Sequence, residues 1–273
     1  MAGEQESDGG ASAGGLLGPD DSPPFAVINP KGASPFLLIG DHAGNRIPAA
    51  LGRLGLGEHD LERHIAWDIG VAGLGEALAA RLDAMFVRQT YSRLVIDCNR
   101  DPAARDAMPD VSDGSAVPGN AGLTEEGRSA RIAAICVPYQ QAIAQEIQER
   151  TSAGRACILI SLHSFTPVMN GEARPWHAGV LHDGANDAFA LRLLACLEQD
   201  SALVVGDNQP YQMDGIDYTV PFHAFAAGLP YAELEIRQDL LSNAADIEGW
   251  AERLAACLLA ASMEYETTPS RSP

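Results

Sequence analysis

Short apolar runs that alternate with longer helical patterns are the feature that most constrains the fold of this chain. Several of these runs are apolar at every position, which is typical of strands whose two faces are both covered by helices. Because an alternation of strands and helices builds a sheet with parallel strands, the pattern predicts an α/β fold. The predicted strands are Phe25–Ile28, Phe36–Ile39, Ala84–Val87, Leu94–Ile96, Cys157–Leu162, Ala178–Leu181, Leu203–Val205 and Tyr231–Ile236.

Helical periodicity fills the segments between these runs. Two apolar stripes, from Leu61 to Leu78 and from Ile132 to Ile147, recur at helical spacing, and Pro138 is expected to kink the second. Residues 188–197 and 247–259 predict two further helices. We therefore predict a three-layer α/β/α domain around a central mixed, largely parallel sheet. In such a domain ligands bind beyond the carboxyl ends of the strands.

One folded region and two short tails are predicted for the 273 residues. Residues 1–24 are rich in Gly, Ser, Pro and acidic residues and contain no basic residue, so they are expected to form a flexible acidic tail. Residues 267–273 are also polar and are expected to be a disordered C-terminal tail. Neither an internal repeat nor a Gly-, Ser- or Pro-rich linker divides residues 25–266, which predicts a single catalytic domain.

The chain is strongly acidic, with 18 basic and 37 acidic residues and a net charge of −19. Such a charge repels phosphate backbones and anionic lipid surfaces, so neither nucleic acid nor a membrane is expected as a partner. No segment approaches the ~18 apolar residues of a membrane-spanning helix, and no secretory leader pattern is present, so a cytoplasmic location is expected. The five cysteines form no C-x-x-C pair and are expected to be reduced and largely buried.

Polar residues collect at the ends of several predicted strands. Residues 40–46 follow the second run, residues 92–101 surround the run at 94–96, and residues 161–164 close the most apolar run. Late in the chain, residues 233–237 place two acids in alternation along a strand. Because ligands bind at strand ends in this class of fold, these four groups are the places to look for chemistry.

Two histidines at the ends of separate strands, His42 and His163, predict a zinc site, because neutral imidazole is a favoured zinc ligand. The third ligand is open between Asn45, Asp68 and water, and an amide oxygen is the poorer ligand for zinc. Asp68 is an acid among apolar neighbours on a predicted helix. A buried carboxylate needs a partner, so Asp68 either binds the metal, orients His42 or pairs with an arginine.

Asn99 and Arg100 are candidate ligands for a substrate carboxylate, because the planar guanidinium binds carboxylates in a bidentate manner. Arg93 and Arg174 are supporting candidates. The alternative for each arginine taken alone is a structural ion pair. No phosphate-binding loop, no G-x-S-x-G motif and no H-E-x-x-H motif occurs, and the chain contains a single lysine, Lys31.

Glu235 is the candidate general base, because its apolar strand is expected to raise the pKa of the carboxyl group into a range useful for proton transfer. Glu233 faces the same side on strict alternation and is the alternative base. A purely structural interpretation pairs Glu235 with Arg237 or another arginine. The roles of His177, His182 and His223 are open.

At these motifs the chain resembles the N-formylglutamate amidohydrolase family. The similarity extends from about Phe36 to Leu259 and covers most of the predicted domain in order. The matching stretches are DHAGNRIPAALG, RHIAWDIG, YSRLVIDCNR, PYQQAI, SLHSFTP, RPWHAGVL, GDNQPY and LEIRQDL.

The resemblance implies the phosphorylase/hydrolase-like fold of zinc exopeptidases and aspartoacylase-type deacylases. It implies metal ligation by His42 and His163, substrate binding by Asn99 and Arg100, and action on water by Glu235. Asn45 departs from the pattern, because the wider group has a ligand Glu at that position. Gln140 also departs, since it replaces a histidine of the closer family.

The activity implied by the resemblance is zinc-dependent hydrolysis, with one Zn²⁺ ion, of N-formyl-L-glutamate to formate and L-glutamate, a reaction of histidine degradation. Two alternatives remain from the sequence. One is another N-acyl amino acid deacylase or an exopeptidase, because the fold does not determine the substrate. The other is a non-catalytic protein that binds carboxylates and has lost the metal through Asn45. The expected partner is a small acidic N-acyl amino acid, and a homo-oligomer is left open.

Overall fold

The computed structural model describes residues 15–184 and 186–267, and its centre is a seven-stranded sheet. Two short hairpins lie outside that sheet, one of Val111–Ser112 with Ser115–Ala116 and one of Val168–Met169 with Glu172–Ala173. In chain order the strands are β1 Phe25–Ile28, β2 Phe36–Gly40, β3 Met85–Gln89, β4 Val111–Ser112, β5 Ser115–Ala116, β6 Ile158–Phe165, β7 Val168–Met169, β8 Glu172–Ala173, β9 Ala178–Leu181, β10 Val205–Asp207 and β11 Tyr231–Arg237.

The sheet has the order β1-β3-β2-β6-β11-β9-β10. Its four central strands, β3, β2, β6 and β11, run parallel to one another. β1 is antiparallel at one edge, and β9 is antiparallel to β11 and carries β10 alongside it. The prediction of a mixed, largely parallel sheet is therefore confirmed.

Helices cover both faces of the sheet. They are α1 Glu58–Leu61, α2 Val71–Leu82, α3 Glu125–Arg131, α4 Val137–Ser152, α5 Ala188–Glu198 and α6 Ala244–Thr267. α2, α5 and α6 pack on one face around Leu38, Ile160 and Leu234, whereas α4 packs on the other face with Leu37 and Leu159. This arrangement confirms the three-layer α/β/α architecture. The shorter helical turns are Ala49–Leu51, Arg105–Ala107, Pro118–Asn120, Ile132–Cys136, Pro221–Phe225 and Gln238–Leu241.

Two predicted elements are wrong, and both lie near the carboxyl edge of the sheet. Residues 94–96 form a turn instead of a strand, since the amide of Val95 donates to the carbonyl of Ser92 at 2.9 Å. The helix predicted from Leu61 to Leu78 is interrupted, because α1 ends at Leu61 and α2 begins at Val71. Asp68, predicted on a helix, therefore lies in the loop before α2.

Part of the predicted N-terminal tail is packed against the domain. The hydroxyl of Tyr91 donates to the carbonyl of Ser22 at 2.6 Å, and the amide of Thr90 donates to the carbonyl of Pro24 at 3.1 Å. Residues 1–14 and 268–273, which hold the rest of the predicted tails, lie outside the described residues. The five cysteines are free thiols, four of them buried. None of the helices in the described ranges has both the length and the apolarity to cross a bilayer.

A candidate metal centre at the carboxyl edge of the sheet

The register of the parallel strands brings the polar groups of the sequence together. Ser161 of β6 lies opposite Glu233 of β11, and His163 lies opposite Glu235. Because side chains alternate along a strand, all four project to one face of the sheet while the intervening leucines enter the core on the other face. β2 runs parallel to β6 and delivers His42 just beyond its last residue. The strand ends therefore form one site.

His42, Asp68 and His163 form a buried cluster that can hold a metal ion. Nδ1 of His163 is 3.0 Å from Oδ2 of Asp68, and Nδ1 of His42 is 3.4 Å from the same oxygen. The centroids of the two imidazole rings are 5.0 Å apart. One candidate ligand atom from each residue lies within 4.8 Å of the other two. The sequence prediction that the two histidines converge is therefore confirmed.

Hydrogen bonds on the far side of each ring determine which nitrogen faces the cluster. Nε2 of His42 is 2.7 Å from Oδ1 of Asp97, and Nε2 of His163 is 3.0 Å from Oγ of Ser161. Nδ1 of His42 is buried and has no hydrogen-bond partner among the described residues. Two imidazoles and one carboxylate, with a further carboxylate orienting the first imidazole, are a donor set that fits zinc.

Asn45, one of the open choices for the third ligand, does not belong to this cluster. Its side-chain nitrogen donates to the carbonyl of Leu61 at 3.3 Å, and the residue lines a separate cavity together with Trp67 and Arg88. Asp68 is the carboxylate that lies between the two histidines. The presence of Asn at position 45 therefore leaves the donor set of the cluster intact.

Opposite charges hold the carboxylates of the centre ionised. Burial favours the neutral form of Asp68, but His42 and His163 outweigh it and hold the pKa of this carboxyl below its usual range. The pKa of Asp97 is also well below its usual value, because Arg93 and His42 together outweigh the effect of burial. Asp68 and Asp97 are 3% and 5% exposed, so these charges interact with little solvent screening.

Glu233 and Glu235 lie beside the cluster in a different electrostatic state. Each is buried, and each has one carboxylate oxygen without a hydrogen-bond partner in the described part of the chain. Burial, partly opposed by His163, raises the pKa of Glu233 to about 7. Burial is also the main reason that the pKa of Glu235 is well above its usual value, with the charges of Asp68 and Glu233 adding to it. Such carboxyl groups can exchange protons near neutral pH.

The interpretation of Glu235 as the structural partner of Arg237 is wrong. The guanidinium of Arg237 binds Asp239 instead, at 2.8 Å, because position 237 lies past the last buried residue of β11. The prediction that Glu233 and Glu235 share a face is confirmed, since both line the same cavity.

The cavity above the cluster has a volume of about 480 Å³ and includes three of the four predicted substrate-binding residues. Arg93 donates to Asp97 at 2.6 Å and lies 3.4 Å from Asp68. Arg100 lies 3.7 Å from Asp217 and donates to the backbone carbonyl of Asn99 at 2.8 Å. The Asn99 side-chain oxygen accepts the amides of residues 218 and 219, so this side chain holds the adjoining loop in place.

Arg174, the fourth predicted substrate-binding residue, lies beside the cavity, in contact with a residue that lines it. It does not line the cavity directly, but its guanidinium donates to the hydroxyl of Tyr211 at 2.9 Å, and Tyr211 does line it. The guanidinium carbon lies 4.8 Å from the centre of the Tyr211 ring. This stacked arrangement restricts the rotation of both side chains.

Several contributors to the site were not assigned from the sequence. Asp97 and Ser161 orient the two histidines, and Tyr211 and Asp217 belong to the loop that closes one wall. The position of Ser161 could be predicted from the sequence, because side chains alternate along a strand and Ser161 therefore shares a face with His163. The loop carries no periodic pattern from which the position of Tyr211 could be predicted.

None of the histidines whose roles the sequence left open lines this cavity. Nε2 of His223 is 2.7 Å from the side-chain oxygen of Gln140, and burial lowers the pKa of His223 to about 4. Nε2 of His182 is 2.9 Å from Asp207. Nδ1 of His177 accepts the amide of Val204 at 2.8 Å. These residues have structural partners within the described ranges.

Comparisons with known proteins give the family and the fold of this chain. The family model described as N-formylglutamate amidohydrolase matches residues 34–242. No curated protein sequence matches the chain. The crystal structure of gene product Atu2144 from Agrobacterium tumefaciens is similar with a TM-score of 0.89 and 36% identity, over 92% of this chain and 99% of that chain.

A second solved structure shares the fold at lower identity. It is an N-formylglutamate amidohydrolase from Ralstonia eutropha JMP134, with a TM-score of 0.61 and 18% identity, over 90% of this chain and 99% of that chain. Each of the two solved structures covers at least 90% of this chain, and this similarity shows the fold.

Proposed function

Because the chain belongs to the N-formylglutamate amidohydrolase family, we propose that it is a zinc-dependent enzyme that hydrolyses the N-acyl amide of a small acidic amino acid. The proposed reaction converts N-formyl-L-glutamate and water to formate and L-glutamate. The observation that carries the proposal is the convergence of His42, Asp68 and His163 beside two buried glutamates. The cavity volume of about 480 Å³ is sufficient for a substrate of this size.

His42, Asp68 and His163 would hold the zinc ion, and the open side of the cluster faces the cavity. When bound, zinc polarises an acyl oxygen and lowers the pKa of a coordinated water. The protein contributes the orientation of its ligands, because Asp97 and Ser161 fix the two rings from behind.

Glu235 is the proposed general base. Its unpartnered oxygen accepts the proton of the attacking water and then returns that proton to the nitrogen of the leaving amino acid. Glu233 lies on the same face and is the alternative base. Burial raises the pKa of both carboxyl groups, and the negative charge of Glu233 adds to the rise for Glu235. A bound zinc ion beside them would favour the ionised form that a general base needs.

Arg100 is the proposed anchor for the α-carboxylate of the substrate. Its guanidinium lines the cavity, and its donation to the Asn99 carbonyl fixes its direction. The amide group of Asn99 positions the loop that carries Asp217, and its nitrogen supplies a further donor. Arg93 supports the site by holding Asp97 and Asp68 in place.

The test compares two isosteric variants. Glu235→Gln is expected to keep stoichiometric zinc and to lose most formate release, whereas Glu233→Gln is expected to lose less. Elemental analysis measures zinc, and a coupled formate assay measures turnover. Full activity in Glu235→Gln would contradict the assignment of the base. Absence of zinc from the wild-type protein, together with no activity on adding divalent metal, would favour a non-catalytic protein that binds carboxylates.

A further inference from the structure

The cavity contains many carboxylates and few cations. A substrate with two carboxylates, which the proposed function requires, is repelled by such a wall unless a cation is available for each of its negative charges. The arginines that line the cavity are Arg93 and Arg100. Eight acids of the described residues line it, among them Asp68, Asp97, Asp106 and Asp217, which lie near these two arginines.

The two arginines inside the cavity already have acidic partners. Arg93 is neutralised by Asp97, at 2.6 Å, and by Asp68. Arg100 lies 3.7 Å from both Asp106 and Asp217, which is a looser arrangement that leaves room for one further carboxylate. Arg100 can therefore bind the α-carboxylate, but neither residue has the capacity for a second carboxylate.

Arg174 is different, because its guanidinium contacts aromatic groups and no acid within residues 15–184 and 186–267. It donates to the hydroxyl of Tyr211 at 2.9 Å and lies over the rings of Tyr211 and Phe165. Its charge also acts on His64, a residue that lines the cavity. Burial lowers the pKa of His64 most, and the positive charges that add to this effect against Asp113 include that of Arg174.

We infer that Arg174, held in place by Tyr211, binds the side-chain carboxylate of the substrate and thereby determines the preference for an acidic amino acid. The inference rests on the proposed function. The planar guanidinium offers two parallel donors to a carboxylate, and the aromatic contacts fix its orientation before the substrate binds. A neutral amide of the same shape offers a single acceptor oxygen and no negative charge, so it cannot form the bidentate ion pair with the guanidinium. Arg174 is therefore a specificity-determining residue and takes no part in the proton transfers.

The test compares N-formyl-L-glutamate with N-formyl-L-glutamine, its neutral isostere, on the full-length zinc-loaded enzyme. We expect the wild type to prefer the glutamate substrate in kcat/KM by about 100-fold. In Arg174→Met the preference is expected to fall to a few fold, because only activity on the acidic substrate is lost. Arg174→Lys keeps the positive charge but loses the planar guanidinium, so its preference for the acidic substrate is expected to lie between those of the wild type and Arg174→Met. Arg53→Met removes an exposed arginine that does not line the cavity and serves as the matched control.

Binding of the products L-glutamate and L-glutamine, measured by calorimetry, separates this inference from the proposed function. If neither formyl substrate is hydrolysed but Arg174→Met loses binding of glutamate alone, the inference stands and the proposed function fails. If Arg174→Met hydrolyses both substrates with the wild-type preference, the inference fails and the proposed function stands. An equal loss of activity on both substrates in Arg174→Met also overturns the inference, since it indicates a structural role.

Discussion

Each histidine of the candidate metal centre depends on a residue behind it. Asp97 accepts a hydrogen bond from the ring of His42 and is itself held by Arg93. The three side chains therefore form a series of charge-assisted contacts that ends at the His42 nitrogen facing the cluster. Ser161 plays the same role for His163 with a neutral hydroxyl. The carboxylate raises the basicity of its imidazole, whereas the hydroxyl mainly orients the ring.

Replacing Asp97 by Asn is expected to weaken zinc binding by about 10–100-fold, because an amide lacks the negative charge that makes the His42 ring a better ligand. Competition with a metal indicator measures the zinc affinity directly, without reference to turnover. Asp113→Asn changes another acid that lines the same cavity and is the matched control. Zinc affinity equal to that of the wild type in Asp97→Asn would contradict this role.

His223 gives the fold a pH dependence that is separate from the metal centre. Its pKa is lowered by burial to about 4, below its usual 6.5, so the unfolded chain binds a proton that the folded chain excludes. Stability from this residue is therefore complete above pH ~6.5 and is lost as the pH falls towards ~4, by roughly 2 kcal/mol at pH ~4.5.

Urea denaturation at pH ~7 and pH ~4.5 tests this expectation. His223→Gln keeps a polar group near Gln140 but does not titrate. The fall in the free energy of unfolding between the two pH values is expected to be roughly 2 kcal/mol smaller in this variant than in the wild type. The same fall in both proteins would show that His223 does not contribute.

Residues that follow a regular strand were the predictable part of the site. His42, His163 and Glu235 were identified because a polar residue that ends or interrupts an apolar strand must face a site or carry a partner. Asp68 was identified by its apolar neighbours, although it lies in a loop and not on the predicted helix. Tyr211 was not identified, because its place at the cavity is set by tertiary contacts across a long loop.

Among elements, the loops at the carboxyl edge of the sheet were harder to predict than the strands. Residues 94–96 are apolar because they are buried beneath the cavity, and apolarity alone does not distinguish a buried turn from a buried strand. The stripe from Leu61 to Leu78 continues across a break, because the loop between α1 and α2 also faces the core. In both segments, burial by tertiary contacts produces an apolar pattern that predicts regular secondary structure where a turn or a loop is present.

Gly70 is what allows the loop with Asp68 to turn into α2. Its φ of +88° lies in the left-handed region, and a Cβ there would lie 2.4 Å from the Cβ of Leu241. We expect Gly70→Ala to lower the free energy of unfolding by about 3 kcal/mol, because it adds a clash to the backbone strain. It should also weaken zinc binding, since Asp68 is two residues away.

Gly154→Ala is the matched control for this element. Gly154 also has a left-handed φ, +65°, but open space surrounds its missing Cβ. Backbone strain alone predicts a loss of about 1 kcal/mol in the free energy of unfolding, with no change in zinc affinity. Equal losses in the two variants, measured by urea denaturation, would show that the contact with Leu241 is unimportant.

For the whole molecule, the parallel order of β2, β6 and β11 explains why residues far apart in sequence form one site. Adjacent parallel strands end at the same edge of a sheet, and the two histidines and both glutamates lie on three neighbouring strands or just beyond them. The class of fold was predictable from the alternation of elements. The strand order was not, because strands that are adjacent in the sheet are distant in the chain.

The net charge of −19 should affect substrate capture at long range. An N-formyl dicarboxylate approaches a molecule of its own sign, so salt that screens this repulsion is expected to raise kcat/KM. Between ~10 mM and ~150 mM potassium chloride we expect a rise of about two- to fivefold with N-formyl-L-glutamate. An uncharged substrate such as an N-formyl amino acid amide should show little change, which controls for effects of salt on folding and zinc binding. A fall in kcat/KM for the dicarboxylate would mean that local attraction at the cavity mouth outweighs the charge of the whole molecule.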